Sequence, residues 1–180
     1  DIDRFCEARG REGYRVLAIA TRKVVPRASF DRNDEQGLTL KGFVLFRDPP
    51  KDGIEQTVAD LRQLGIAIKI ISGDNRHTAA HVGAAVGLDP GRILTGEDLG
   101  RMKDEALWHL AEQTDIFAEI DPQQKEAIVR ALQRRGHSVG YLGDGINDAP
   151  SLMAADVGIS VDQAVDVARE SADVVLLRPD

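Results

Sequence analysis

The sequence predicts an α/β domain in which a parallel β-sheet carries helices on both faces. Short runs of β-branched residues, typical of buried strands, alternate with segments whose apolar residues recur every three or four positions, as in helices. The predicted strands are 66–72, 115–120, 138–143, 156–161 and 173–177. The predicted helices are 53–65, 75–87, 103–113, 122–136, 147–155 and 163–171. Because this alternation is typical of right-handed βαβ units, we expect functional sites at the carboxyl ends of the strands.

The N-terminal part departs from this alternation. Residues 3–12 have the spacing of a helix, and residues 14–21 (YRVLAIAT) that of a strand. Residues 26–37 are a polar connector, which we interpret as a boundary, and the segment 38–50 joins it to the main domain. We therefore expect a small N-terminal piece attached to one α/β domain.

Composition and charge exclude several classes of protein. The 180 residues are 42% hydrophobic, which is enough for one sizeable core. A net charge of −7 with few aromatic residues argues against nucleic-acid binding, so we expect metal ions or small phosphates as partners. Cys6 is the only cysteine, so an internal disulfide is impossible. The apolar runs are too short to cross a bilayer, and we expect a soluble, cytosolic chain.

Polar residues follow the first main-domain strand in the sequence SGDN (72–75). Ser72 offers a hydroxyl group, Gly73 allows close approach to the backbone, and Asp74 or Asn75 can cap the next helix. This arrangement suits a phosphate at a helix N-terminus. A capped turn without a ligand explains the same residues equally well.

A second group, DPQQK (121–125), begins another helix. Asp121 is a natural N-cap, Pro122 suits the first helical position, and Lys125 falls near the helix start. A cation there opposes the helix dipole unless a bound phosphate lies between them. The alternative is a lysine that extends into solvent.

The third group, GDGINDAP (143–150), concentrates carboxylates after a strand. Asp144 stands between Gly143 and Gly145, and Asn147 and Asp148 begin the next helix. Two ionised carboxylates so close together repel each other unless a cation binds, and hard oxygen ligands suit Mg²⁺. The group also has an ordinary interpretation as turn and capping residues. Its coincidence with the other two groups at strand ends favours a site.

These three groups, in this order, resemble the phosphorylation domain of P-type cation-transporting ATPases. That domain has the Rossmann-like fold of the haloacid dehalogenase-like superfamily. The segments RVLAIATRKV (15–24) and RDPPK (47–51) are similar to those pumps as well. The sequence from GDGINDAP to residue 177 is most similar to the magnesium-transporting branch.

The resemblance implies that residues 1–36 are the tail of a nucleotide-binding domain and that residues 37–180 are an incomplete phosphorylation domain. The chain would then be a catalytic fragment of an ATP-driven pump, with Mg²⁺ as the expected transported cation. Its cofactors would be Mg²⁺ and ATP. Its partners would be the actuator and membrane domains, and its place would be the cytoplasmic side of the cell membrane.

The resemblance also implies roles for residues in phosphoryl transfer. The Ser72 hydroxyl and the Gly73 amide would bind the phosphoryl group, where the family has threonine in place of Ser72. Lys125 would neutralise the phosphoryl charge. Asn147 and Asp148 would fix phosphate, metal and water.

A further set of roles concerns the metal and the nucleotide. The resemblance makes Asp144 a Mg²⁺ ligand, and the pairing of two acids makes Asp148 a second one. Arg15 would contact the nucleotide phosphates, Asp74 would lie beside them, and Asp48 would belong to a hinge near the nucleotide.

Two departures from the family pattern matter. The family nucleophile is the aspartate of an Asp-Lys-Thr-Gly-Thr sequence, which does not occur in these 180 residues. We therefore expect no aspartyl-phosphate and no ATP hydrolysis from this chain alone. Glu119 replaces an arginine found in many family members, which argues against a direct nucleotide contact at this position.

The missing sequence also removes a strand from the sheet. In the resembled fold the nucleophile strand lies between strands 66–72 and 138–143. Burying unpaired backbone groups costs about 1–3 kcal/mol each. We therefore expect these two strands to pair directly, or to accept either residues 14–21 or a strand of a second copy.

Two other patterns have simpler interpretations. Thr95 and Asp98 have the spacing of a capping box, although the sequence LTGED contains the Thr-Gly-Glu letters of the actuator domain. His77 and His81 share a helix face and could hold zinc, but no third ligand is evident, and a solvated face is the better interpretation.

Two rival functions remain open at this stage. A soluble haloacid dehalogenase-like phosphatase or phosphomutase would also need Asp144 and Lys125. Such an enzyme requires an N-terminal strand that ends in Asp-x-Asp, and no predicted strand here carries that sequence. The other rival is a non-catalytic module that binds nucleotide or metal.

Overall fold

A computed structural model describes residues 2–26 and 29–178. Its helices, α1 to α8 in chain order, are Ile2–Arg11, Ile54–Gln63, Arg76–Ala85, Gly96–Gly100, Asp104–Gln113, Pro122–Arg134, Ala149–Ala154 and Asp166–Glu170. Its strands, β1 to β8, are Tyr14–Thr21, Thr39–Arg47, Ile70–Ile71, Ile93–Thr95, Ile116–Ala118, Gly140–Leu142, Val157–Val161 and Val174–Leu176. Within these two ranges, every helix is too short or too polar to cross a lipid bilayer.

The predicted α/β fold with parallel strands is confirmed. One parallel sheet has the order β3-β5-β4 and a second has the order β6-β7-β8. Alternation along β5 explains why helices cover both faces. Ile116 and Ala118 pack toward α2 and α3, whereas Phe117 between them packs toward α5 and α6.

Two strands were not foreseen, and one predicted strand is shorter than expected. The joining segment contains β2, and β4 has only three residues, too few for a periodic pattern. The strand predicted at 66–72 pairs only at Ile70 and Ile71, opposite Ile116 and Phe117. Lys69 lies beyond that pairing, and its Nζ instead donates to backbone carbonyls at the end of α5.

The N-terminal residues form an antiparallel pair and pack against the α/β domain. β1 pairs with β2, so the predicted domain boundary after residue 36 falls between two paired strands. Arg27 and Ala28 of the predicted connector lie outside the described residues. α1 packs against α3, and the buried Gly10 makes this contact close, because a Cβ there would lie 3.1 Å from the Cβ of His77. The division into two domains remains a prediction.

α6 joins the two parallel sheets through its buried face. Ile128 packs in the hydrophobic cluster of the β3-β5-β4 sheet, and the adjacent Val129 packs in the cluster around β6 and α7. Ile71 and Val139 contact both clusters. The two sheets therefore lie side by side, with β3 and β6 near each other.

The predicted closure of the sheet within the chain is wrong. Among the described residues β3 pairs only with β5, β6 pairs only with β7, and β1 pairs with β2. The physical reason is exposure, because Gly140 and Leu142 on β6 are exposed, Leu142 by 63%. Backbone groups that reach water do not carry the cost of burial. Pairing with a second copy remains a prediction.

Candidate functional site

The three predicted polar groups meet at the carboxyl ends of the parallel strands. Ser72 follows β3, and its carbonyl accepts a hydrogen bond of 3.1 Å from the N–H of Ile120, just before α6. α6 in turn packs against the short 3₁₀ turn Ile146–Asp148 that follows β6. The N-terminal end of α6 therefore lies between the loops that follow β3 and β6.

Two of these loops end in the helix caps that the sequence predicts. The Asn75 side chain accepts hydrogen bonds from the N–H groups of His77 and Thr78 and caps α3. Asp121 accepts from the N–H of Gln124 in a capping box and starts α6. Both predicted caps are confirmed. These caps direct the starts of α3 and α6 toward the same edge of the sheets.

Asp148 is the centre of a buried hydrogen-bond network. Its Oδ1 accepts from Lys125 Nζ at 2.7 Å and from the Tyr141 hydroxyl at 2.9 Å. Its Oδ2 accepts from the N–H of Gly145 at 3.0 Å. The side chains of Lys125 and Asp148 are only 16% and 10% exposed. This is a shielded ion pair next to an open loop.

The electrostatics of this network hold Asp148 ionised. Burial raises its pKa, but hydrogen bonds from Lys125, the Gly145 N–H and Tyr141 lower it more, so the pKa lies below its ordinary value. Burial and the nearby Asp148 charge raise the pKa of Tyr141. Tyr141 therefore remains a neutral hydrogen-bond donor at physiological pH.

A glycine is required at position 143 for packing reasons. A Cβ on Gly143 would lie 2.6 Å from the Cβ of Asp148 and 3.0 Å from the ring of Tyr141. The Gly143 carbonyl accepts a hydrogen bond of 2.9 Å from Ser160 Oγ on β7. Only a residue without a side chain can lie this close to Asp148. Gly143 therefore sets the position of Asp144, the next residue.

The loop after β3 contains a second charged pair. Arg15 on β1 donates to Asp74 Oδ1 through Nε at 2.8 Å, and through Nη2 as well. The Asp74 N–H donates to Ser72 Oγ at 3.0 Å. Arg15 thus reaches from the N-terminal strand pair to the loop that the sequence assigned to phosphate.

Other predicted site residues line these loops without forming such a network. Gly73 and Asn147 are exposed. Asp48 is exposed after β2, one residue beyond Arg47, which pairs with Tyr14 at the start of β1. That register places Asp48 at the same end of the strand pair as Arg15. Nothing in the described residues tests the predicted roles of these residues.

The Asp144 carboxylate suits a metal better than the Asp148 carboxylate. Asp144 is exposed, and its carbonyl is fixed by a hydrogen bond of 3.1 Å from the Val165 N–H. Both oxygens of Asp148 already accept hydrogen bonds. No group of three or more His, Cys, Asp or Glu side chains suited to a metal occurs in the described part of the chain. The donor set fits Mg²⁺, which keeps several waters and needs few protein carboxylates.

Glu119 stabilises the start of α3 next to the Ser72 loop, residues 72–75. It has a left-handed backbone with φ of 59°, and its N–H donates to the Asp74 carbonyl at 2.8 Å. Its Oε1 accepts from the N–H of Arg76, the first residue of α3, at 3.0 Å. Glu119 thus supports the loop at residues 72–75 through both its backbone and its side chain.

The sequence analysis missed Tyr141. Its position inside a predicted strand indicated a core residue, and its ring does pack in the cluster that contains Val129 and Leu152. The available signal was the hydroxyl group, because a buried tyrosine usually has a polar partner. The nearby acidic loop could have supplied that partner.

The capping-box pattern at Thr95 and the histidine pair on α3 also have defined contacts. Thr95 and Asp98 form a capping box at the start of α4, as predicted. His81 Nδ1 contacts the Arg11 carbonyl at 3.0 Å, so this ring packs against the end of α1.

The fold agrees with comparisons to known proteins. The sequence profile of haloacid dehalogenase-like hydrolases matches residues 7–156, and the chain belongs to that family. The chain is 47% identical over 177 residues to a magnesium-transporting P-type ATPase of Escherichia coli K12 and to one of Salmonella typhimurium, with 98% of the chain covered. It is 34% identical over 185 residues to calcium-transporting ATPase 1 of Saccharomyces cerevisiae, with 99% covered. The chain spans about one fifth of the length of these relatives.

Proposed function

We propose that this chain is the phosphoryl-transfer part of an ATP-driven cation pump, and that the pumped cation is Mg²⁺. The observation that carries the proposal is the buried Lys125–Asp148 pair. This pair lies between the Ser72 loop and the Asp144 loop, residues 143–148. The identity of 47% to magnesium-transporting P-type ATPases supports the choice of cation. Such a pump works through an aspartyl-phosphate intermediate.

Lys125 and Ser72 would bind the transferred phosphoryl group. Lys125 gives one hydrogen bond to Asp148, and an ammonium group has three donors. Its remaining donors can stabilise charge on the equatorial oxygens, since catalysis of phosphoryl transfer rests mainly on positioning and electrostatics. The Ser72 hydroxyl and the Gly73 amide would add uncharged donors, and Asn147 would help to place water.

Asp144 would hold Mg²⁺, and Asp148 would act mainly by fixing the loop and Lys125. When bound, Mg²⁺ neutralises phosphate charge. Arg15 now pairs with Asp74, so contact between Arg15 and the phosphates of ATP would require this ion pair to rearrange. Asp48 would lie near the same nucleotide.

The nucleophile would come from elsewhere in a longer polypeptide. Within that polypeptide the partners of this chain would be the actuator and membrane domains. The chain would lie on the cytoplasmic side of the cell membrane. The chain alone has no Asp-Lys-Thr-Gly-Thr sequence, so we expect neither ATP hydrolysis nor autophosphorylation from it. Acid-stable phosphoenzyme formed by this chain would contradict the assignment.

A magnesium titration tests the site directly. Mg²⁺ added to the chain at neutral pH should shift the amide resonances of residues 143–148. Asp144→Asn should remove most of that binding, because it removes the exposed carboxylate. Asp104→Asn, an exposed acid on α5, is the matched control and should bind as the wild type does. Shifts centred away from residues 143–148 would refute the proposal.

A further inference from the structure

Tyr141 has a buried hydroxyl group for which the proposed phosphoryl transfer has no role. Only 8% of the residue is exposed, and its hydroxyl donates to Asp148 Oδ1 at 2.9 Å. We propose that Tyr141 is a positioning residue that holds the Asp144 loop, residues 143–148, in its metal-binding shape. The inference rests on the proposed function for the identity of the ion.

Two hydrogen bonds and one peptide bond connect the Tyr141 hydroxyl to Asp144. The hydroxyl fixes Oδ1 of Asp148, and Oδ2 of the same carboxylate accepts from the Gly145 N–H at 3.0 Å. Gly145 directly follows Asp144 in the chain. A rotation of the Asp148 carboxylate would therefore release the Gly145 N–H, next to Asp144.

Lys125 cannot replace the tyrosine in this role. Both donors bind the same oxygen of Asp148, Lys125 at 2.7 Å. The proposed function also requires Lys125 to bind a phosphoryl group, and a long lysine side chain has many rotamers. The Tyr141 ring packs in a core cluster and has two side-chain torsions, so its hydroxyl keeps Asp148 in place when Lys125 moves.

The backbone around Asp144 depends on few other contacts. Gly143 is fixed through its carbonyl by Ser160 and through its N–H by the Ile159 carbonyl, and Asp144 is fixed through its carbonyl by the Val165 N–H. These contacts come from β7 and the residues that follow it. On the other side of Asp144, Gly145 binds Asp148 twice, because its carbonyl accepts from the Asp148 N–H at 3.1 Å and its N–H donates to Asp148 Oδ2. Tyr141 supports the second of these bonds.

Tyr141→Phe tests the inference, because it removes the hydroxyl and keeps the ring. In metal-free protein the Gly145 amide resonance should move, since the carboxylate that it binds loses its anchor. The Kd for Mg²⁺ alone should also rise, by less than the roughly tenfold typical when a group bonded directly to a metal ligand is lost, because Tyr141 acts on Asp144 through Asp148 and Gly145. Tyr14→Phe is the matched control, because Tyr14 is the other of the two tyrosines and its ring lies against Arg47 on β2. It should change neither quantity.

The outcomes separate this inference from the proposed function. If Asp144→Asn abolishes Mg²⁺ binding while Tyr141→Phe leaves both the Gly145 resonance and the Kd unchanged, the inference alone is overturned. A Tyr141→Phe protein that only unfolds more easily would show a packing role and would overturn it too. If Asp144→Asn binds Mg²⁺ as the wild type does, both the metal site and this inference are overturned. Asp148→Asn gives a second test of the path and should also move the Gly145 resonance.

Discussion

Removing the Lys125 charge should destabilise the protein far more than removing a surface charge. Lys125→Met keeps most of the apolar stem and leaves Asp148 buried without its cation. At 2.7 Å and an effective dielectric constant of about 20, the Coulomb attraction is about 6 kcal/mol before desolvation is subtracted. Breaking a buried pair costs about 3–5 kcal/mol, and Asp148 keeps donors from Tyr141 and Gly145, so we expect about 3 kcal/mol at pH 7.

The loss should depend on pH, because Lys125 helps to keep the pKa of Asp148 low. In the wild type the depressed pKa adds stability above the ordinary carboxyl range, and this stability is lost as pH falls through the folded-state pKa. Without Lys125, burial raises the pKa of Asp148 and favours its neutral form. The difference in unfolding free energy should therefore become small only below the folded-state pKa of Asp148, which lies under its ordinary value of about 4, and should grow toward pH 7.

Urea unfolding followed by circular dichroism at about pH 3 and at pH 7 would measure this difference. Arg130→Met is the matched control on the same helix, because Arg130 pairs with Glu126 while 62% of its side chain is exposed. An exposed pair of this kind contributes about 0.5 kcal/mol or less. A loss below 1 kcal/mol for Lys125→Met at pH 7, or one that does not change with pH, would refute the argument.

Substitutions at three further positions test the supports of the site by urea unfolding. Glu119→Gly should be about 1 kcal/mol more stable than Glu119→Ala, because both lose the bond to the Arg76 N–H but only glycine relieves the left-handed backbone; equal stabilities would contradict this. Gly96→Ala should cost about 1–3 kcal/mol, because its Cβ would lie 2.3 Å from the Glu119 carbonyl oxygen; a neutral result would show that the two segments can separate. Asp98→Asn should cost about 1 kcal/mol at pH 7 and less as pH falls, because the N–H and hydroxyl of Thr95 lower the pKa of Asp98; a cost independent of pH would count against the capping box.

The sequence predicted helix starts well where capping residues mark them, but it missed the nine-residue strand β2. The helix starts at Asn75 and Asp121 follow from capping chemistry, which depends only on neighbouring residues. β4 escaped prediction because three residues carry too little periodicity, and pairing with β5 alone makes them a strand. The length of β3 is likewise set by its partner rather than by its own apolar run.

The site was predictable as a set of loops but not as a network. Parallel strands bring their carboxyl ends to one edge, which placed Ser72, Lys125 and Asp144 in one region. The partners of the charged groups depend on packing between distant segments. Arg15 and Tyr141 reach Asp74 and Asp148 across such contacts, and no spacing in the sequence encodes them.

The unpaired edges of β3 and β6 bear on how the two parallel sheets are held together. No backbone hydrogen bond joins the two parallel sheets in the described ranges, and α6 with a few apolar side chains holds them together. Each sheet is built from consecutive segments of the chain, so each can exchange its amide protons as a separate cooperative unit. Strain applied between the sheets would part the side-chain contacts before it broke either ladder of strands. The contacts of α6 beside Lys125 are thus the main connection between the two parallel sheets.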